Sequence, residues 1–281
     1  MQLTDKIHML QIDFEVAIAP GKVIPRFVNL LVIFGEKIKL IDTGVKDSET
    51  IIFDYIQKQG RKASEIDTII LSHSHPDHIG SAAKIKEVTG CSVIAHKKEQ
   101  HWIESIELQN QQRPVPGFFN LVNQSVGIDY LVCGNNEEIK FENGLTVRLI
   151  EAPGHSAGSL NILFVEDKIL FTADSIPVKN DIPNYDNFTE LMKSLENIKT
   201  NTEYDILLSS WMPALTRKEQ IEKVLAEGEA YMRRIDYVVR KHYRETDGTA
   251  LEYCKSAVEE LGLPLVFVNQ IVDKAFKAHL Q

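Results

Sequence analysis

Leu71-Ser72-His73-Ser74-His75-Pro76-Asp77-His78 packs three imidazoles and a carboxylate into six residues. Such a set makes a poor packed core, because every polar group needs a partner when buried. It follows an apolar run at 68–71 that reads as a strand, and it precedes a helical pattern at 79–89 closed by Gly90. At the end of a strand the grouping makes sense as metal ligands. His73 and His75 are two apart and leave an extended chain on the same side. Asp77 and His78 lie where the chain turns into the helix and can face the same point from the other flank. Neutral imidazole with carboxylate suits Zn²⁺, Fe²⁺ or Mn²⁺.

Around this motif, strand-like runs alternate with helical ones. The strands are expected at 30–34, 38–41, 68–71, 92–95, 146–150, 160–165, 168–172 and 206–208, and the helices at 48–59, 79–89, 97–108 and 188–198. Gly35-Glu36 supplies the turn of a first hairpin, and Glu142-Asn143-Gly144 separates two further strand-like stretches. Hairpins mixed with crossover helices predict sheets with helices on their outer faces. From about residue 216 the character changes. Ile221, Val224, Leu225, Met232, Ile235 and Val239 follow helical spacing, and two more helices are expected at 250–261 and 265–280, separated at Pro264. The chain thus divides into residues 1–215 and a helical extension, 216–281.

Charge follows the same division. The 31 Lys+Arg and 40 Asp+Glu give a formal charge of −9, all of it in the first 215 residues, because residues 216–281 hold 11 of each sign. An acidic chain lacks the basic footprint that nucleic acids demand. No apolar run approaches the ~20 residues of a membrane span, and Asp5, Lys6, Asp13 and Glu15 stand where a signal peptide needs an apolar core. Cys91, Cys133 and Cys254 are too scattered for a disulfide framework. A cytoplasmic protein with a small-molecule substrate is expected.

Two groups further along fit the first motif: His155, in the turn Pro153-Gly154-His155-Ser156-Ala157-Gly158, and Asp174, which ends the strand Leu170-Phe171-Thr172-Ala173. Taken with Asn29 and with Ile41-Asp42-Thr43-Gly44, the pattern over residues 7–213 resembles the metallo-β-lactamase-fold superfamily of metallohydrolases. The resemblance implies an α/β fold, an αββα sandwich with a C-terminal helical extension, and metals at one edge between the sheets. It implies that His73, His75 and His155 hold one metal, that Asp77 and His78 hold a second, and that Asp174 bridges them. That is the pattern of glyoxalase II-like thioesterases and lactonases more than of true β-lactamases. Asp42 would support the motif backbone. One position departs: Trp211, in Ser209-Ser210-Trp211-Met212-Pro213, stands where the family carries a last ligand histidine. An indole has no lone pair for a metal, so the second site is expected to be the weaker. His242 and His279 are the histidines downstream that could replace it.

The implied cofactor is zinc, one or two ions, with iron or manganese as alternatives. Three imidazoles on such an ion lower the pKa of bound water to about 7, and Asp77 can orient that water and take its proton. The expected activity is hydrolysis of a small ester, thioester or lactone. The alternative is a mononuclear iron oxidoreductase of the persulfide dioxygenase type, with His73, His155 and Asp174 as its ligands. Trp211, Phe118 and Phe119 are candidates for the substrate-pocket wall, the phenylalanines from the proline-bounded stretch Arg113-Pro114-Val115-Pro116-Gly117-Phe118-Phe119. Lys179 and Tyr185, after Asp174, could contact substrate, with solvated loop positions as the default reading. The helical tail is expected to cover the site or to form a dimer surface.

Overall fold

The computed structural model describes residues 1–19, 22–245 and 252–280. Among the described residues, twelve strands form two six-stranded sheets. The first has the order β1 (Ile7–Ala19), β2 (Lys22–Phe34), β3 (Ile38–Ile41), β4 (Ile66–Ile70), β5 (Ser92–His96), β6 (Tyr130–Val132). The second runs β12 (Met212–Leu215), β11 (Ile206–Ser209), β10 (Ile169–Phe171), β9 (Leu160–Phe164), β8 (Thr146–Glu151), β7 (Glu137–Lys140). In the first sheet β1–β3 are antiparallel, and β3 to β6 pair in parallel.

The period-two alternation of strands builds the layers. In β2, Leu31 and Ile33 face the second sheet and join Ile70, Leu149, Ile162 and Phe164 in the central core. Leu30 and Val32 point the other way, onto Ile52 and Ile56 of α1 (Ser48–Lys58) and Ile85 of α3 (Ala82–Thr89). Leu163, between Ile162 and Phe164, meets Leu195 and Ile198 of α7 (Phe188–Thr200) and Ile221 and Leu225 of α8 (Lys218–Glu245) on the opposite outer face. The αββα sandwich with C-terminal helices is therefore present.

Several elements differ from expectation. The first hairpin is far longer than the run at 30–34, because Asp13, Glu15, Pro25 and Arg26 interrupt the apolar signal of β1 and early β2. The helix expected at 79–89 divides into α2 (Pro76–Ile79) and α3 around Gly80, where a Cβ would lie 2.4 Å from backbone atoms of Lys46, Val45 and Leu121. The helix expected at 97–108 divides into α4 (Gln100–Ile103) and α5 (Ile106–Gln112), because the Ser105 hydroxyl accepts from Leu108 N–H and starts a new helix. A short α6 (Phe118–Leu121) follows.

In the tail, residues 250 and 251 of one expected helix lie outside the described residues, and α9 spans Glu252–Glu260. The last expected helix begins only at α10 (Gln270–Lys277), capped by the Asn269 side chain on Ile271 and Val272 N–H. The tail has its own core of Met232, Ile235, Val239, Tyr253, Val258 and Phe276, and this core continues onto Tyr185 and Leu191 of the body. Tyr185, expected in solvent, is buried there.

His279 closes this junction. Its Nε2 accepts from the Tyr185 hydroxyl at 2.6 Å and its Nδ1–H donates to Asp236 at 3.1 Å. Burial pushes its pKa down to about 4, although Asp236 favours the charged form. The unfolded chain takes up that proton near 6.5, so it binds more protons than the folded one in the interval below. The contribution is whole above about pH 6.5 and is lost as pH falls towards about 4, a change on the order of 3 kcal/mol. Urea denaturation of wild type and His279→Leu at about pH 7.5 and about pH 5 checks this. The variant is expected to lose less stability on acidification; equal losses would contradict it.

Candidate metal centre

All the candidate ligands lie at one edge of the sandwich, where strand ends of the two sheets meet. The ladder continues one bond past β4, from Leu71 N–H to Ile94 O, and the next residues cross between sheets, with Leu160 N–H on Ser72 O at 2.9 Å. Pro76 opens α2 at a position where its missing N–H costs nothing. Asp174 follows Ala173, whose φ of +46° is costly for a residue with a Cβ. That turn is held by the Ser209 hydroxyl and Ser210 N–H, which donate to Ala173 O at 3.0 and 3.1 Å.

One ligand atom each from His73, His75, His155 and Asp174 lies within 4.8 Å of the others. His75 Nδ1 is 2.8 Å from His155 Nε2, and Asp174 Oδ2 is 3.3 Å from His155 Nε2 and 4.0 Å from His73 Nε2. On the other side, His78 Nε2 lies 3.2 Å from Asp174 Oδ1 and 3.8 Å from Asp77 Oδ2. Asp174 thus turns one oxygen to the three-histidine group and the other to His78. His73 Nε2 is buried without a hydrogen-bond partner, and the buried His78 Nε2 and Asp174 Oδ1 have only each other, at 3.2 Å. Buried polar atoms are nearly always paired, so ligand atoms this poorly partnered, converging on one place, fit a divalent metal.

The backing of these side chains is extensive. Asp42, itself in a left-handed conformation, accepts from Ser72 N–H and hydroxyl at 2.7 Å each and meets His78 Nδ1 at 2.8 Å. The Ser72 hydroxyl lies 3.0 Å from His73 Nδ1. Contacts at one nitrogen leave the other facing the metal position. Glu99, which the sequence reading did not single out, clamps the two histidine loops together. One oxygen accepts from Ser74 N–H and hydroxyl, the other from the Ser156 hydroxyl and Gly158 N–H. Gln109 adds a bond from Nε2 to Ser74 O at 2.6 Å.

Burial holds His73 and His75 well below, and His155 below, the usual imidazole pKa, so their lone pairs are free to ligate. For His78 burial acts in the same sense, but Asp174, Asp42 and Asp77 outweigh it and hold the pKa well above the usual value. Asp174 would be raised by burial, yet the surrounding imidazoles hold it well below. Asp77 is raised, chiefly by burial.

A cavity of about 280 Å³ opens beside the centre, with His75, Asp77, Trp211, Arg26 and Arg113 among its lining residues. Trp211 forms part of the wall, with the Arg26 guanidinium 4.5 Å above its ring. Phe118 and Phe119 do not line it. Phe118 is packed into the core against sheet one, and Phe119, 49% exposed, faces outward; Val115 and Pro116 of the same stretch form the wall instead. The tail supplies Phe267 and Val268 to the cavity. His242 and His279 are engaged elsewhere, with Glu245 and Glu260 and with Tyr185 and Asp236.

The family model described as Metallo-beta-lactamase superfamily matches residues 23–224. The chain belongs to that superfamily and is a hydrolase-family enzyme with a His/Asp metal-binding group. It is 27% identical over 215 residues to the Bacillus subtilis (strain 168) protein described as Probable metallo-hydrolase YybB, covering 75% of this chain and 86% of that one. It is 28% identical over 116 residues to a hydroxyacylglutathione hydrolase of Rhodopseudomonas palustris (strain BisB18), covering 41% of this chain and only 36% of that enzyme. Among solved structures, a metallo-beta-lactamase family protein from Thermus thermophilus matches with a TM-score of 0.74 at 17% identity, over 99% of this chain and 93% of that one. No helix among the described residues is long and apolar enough to cross a membrane.

Proposed function

We propose that this enzyme hydrolyses a small ester, thioester or lactone, with zinc held by His73, His75, His155 and Asp174 and a second, weaker ion between Asp77, His78 and Asp174. The observation that carries this reading is the convergence of three buried histidines and Asp174 beside a cavity of small-molecule size. Bound there, a divalent ion supplies Lewis acidity that brings water ionisation towards neutral pH and stabilises negative charge on a carbonyl oxygen. Asp77 borders the cavity, and its burial-raised pKa suits it to take the proton of the attacking water. Water oxygen bonds to the carbonyl carbon, the acyl C–O or C–S bond breaks, and the departing alcohol or thiol receives a proton. A third imidazole, His75, in the group favours hydrolysis over the two-histidine iron oxygenase reading. The size of the cavity favours a small molecule over a polymer, and a cytoplasmic enzyme, monomeric or dimeric, is in keeping with this.

Elemental analysis of the purified protein, with an anomalous-scattering structure, tests the assignment. Zinc at the three-histidine group and chelator-sensitive ester or thioester hydrolysis are expected. A single iron, with oxygen uptake on glutathione persulfide and no hydrolysis, would replace this reading with the oxygenase. Trp211→His adds a ligand-type side chain at the cavity wall and is expected to raise the bound-metal stoichiometry. Unchanged stoichiometry would place the missing ligand elsewhere.

A further inference from the structure

The cavity contains a cation that hydrolysis of a neutral substrate does not use. Arg113, at the C-terminal end of α5, is only 5% exposed and lines the cavity together with His75 and Asp77. A guanidinium carries five N–H donors. Among the described residues, this one makes a single hydrogen bond, from Nη2 to Asn184 Oδ1, and no ion pair. Asp186, Asp77, Glu99 and Asp174 act on it only at longer range. The other arginine of the cavity is differently placed. Arg26 is bound through both Nη atoms to Asp181 at 2.8 Å each and is stacked on Trp211. Arg26 is therefore satisfied within the protein, whereas Arg113 keeps most of its fork free in a place where an unpaired charge is costly.

We propose that Arg113 receives a carboxylate of the substrate, so that the hydrolysed ester, thioester or lactone also carries a carboxylic acid. This rests on the hydrolytic reading above. Planar two-oxygen anions match the guanidinium fork. A planar carboxylate matches the flat fork better than a tetrahedral phosphate, and Asp186 and Glu99, the carboxylates near Arg113 outside the ligand set, oppose a second negative charge. The remainder of the substrate would lie against Phe14, Ile24, Trp211 and Phe267. The competing explanation is that Arg113 merely offsets the acidic residues of the metal centre.

Two measurements on the zinc-loaded full chain separate these. The first compares kcat and KM for mono-p-nitrophenyl esters of succinic, glutaric and adipic acids with the neutral p-nitrophenyl butyrate and pentanoate. Wild type is expected to prefer the best acid ester by about ten-fold or more in kcat/KM, the worth of a charged hydrogen bond. Arg113→Gln is expected to lose that preference through KM, and Arg113→Lys to retain part of it. Equal loss on acid and neutral esters in Arg113→Gln, or no acid preference in wild type, would overturn the assignment. The second is calorimetric binding of glutarate against butyrate, which needs no turnover. Tighter glutarate binding in wild type, lost in Arg113→Gln, supports the assignment; tighter binding retained in the variant overturns it. Failure to hydrolyse any ester would count against the hydrolytic reading, while the calorimetry still decides on Arg113.

Discussion

Replacing His155 with alanine is expected to empty the three-histidine site and to lower kcat/KM by about three orders of magnitude or more, the several kcal/mol that a Lewis acid contributes. The backbone of the His155 loop is held by groups other than the His155 ring. That loop is fixed by Gly154, whose φ is +129° and where an added Cβ would lie 2.2 Å from the Leu191 nitrogen. It is also fixed by Asp186 and Asn187 N–H, which donate to Gly154 O at 2.8 and 2.9 Å. The fold should survive the substitution, and circular dichroism should remain native. Elemental analysis and ester or thioester turnover are the readouts. Full metal content in His155→Ala would remove this residue from the ligand set.

The second large effect is expected at Glu99, which touches no candidate ligand but holds the segments that carry them. Its two oxygens accept from Ser74, between His73 and His75, and from Ser156 and Gly158, just after His155. Glu99→Ala strands the Ser74 N–H and hydroxyl and the Gly158 N–H, each costing about 1–3 kcal/mol when left unsatisfied, while the Ser156 hydroxyl keeps its contact with the Ser159 hydroxyl at 2.7 Å. Partial relaxation should leave a net loss on the order of 3–5 kcal/mol, as for a broken buried pair. Glu99→Gln keeps the volume but turns an NH₂ towards donors at one end, and it should weaken metal binding by about 10–100-fold, as loss of supporting hydrogen bonds typically does. Denaturant titration and competition with a chelator measure the two effects. Unchanged stability and affinity in both variants would show that the loops are held without Glu99.

The candidate centre was legible because its chemistry is written in residue type and short spacing. His73, His75, Asp77 and His78 share one strand-to-helix junction, and no packing argument accounts for so many polar rings there. Glu99 was not legible. It stands in Lys97-Lys98-Glu99-Gln100, a charged stretch that reads as solvated surface, and it is buried only because β5 delivers it between two loops from opposite sheets. Phe118 and Phe119 failed in the opposite sense. Aromatic character marks both pocket walls and core, and the turn of α6 sends Phe118 inward and Phe119 outward.

Local sequence by itself determined the layers, through strands whose alternate residues are apolar on both faces, and it determined which side chains could ligate a metal. Tertiary structure alone decided what surrounds them: the clamp at Glu99, the tail residues that wall the cavity, and a buried Arg113 beside Asp77. Ligand identity follows from the chemistry of each side chain, which the sequence states outright. Burial and charge environment depend on segments far apart in the chain, so the same Arg113 is a loop-end cation in the sequence and, in the fold, a cavity-lining guanidinium bonded to Asn184 and without an ion pair among the described residues.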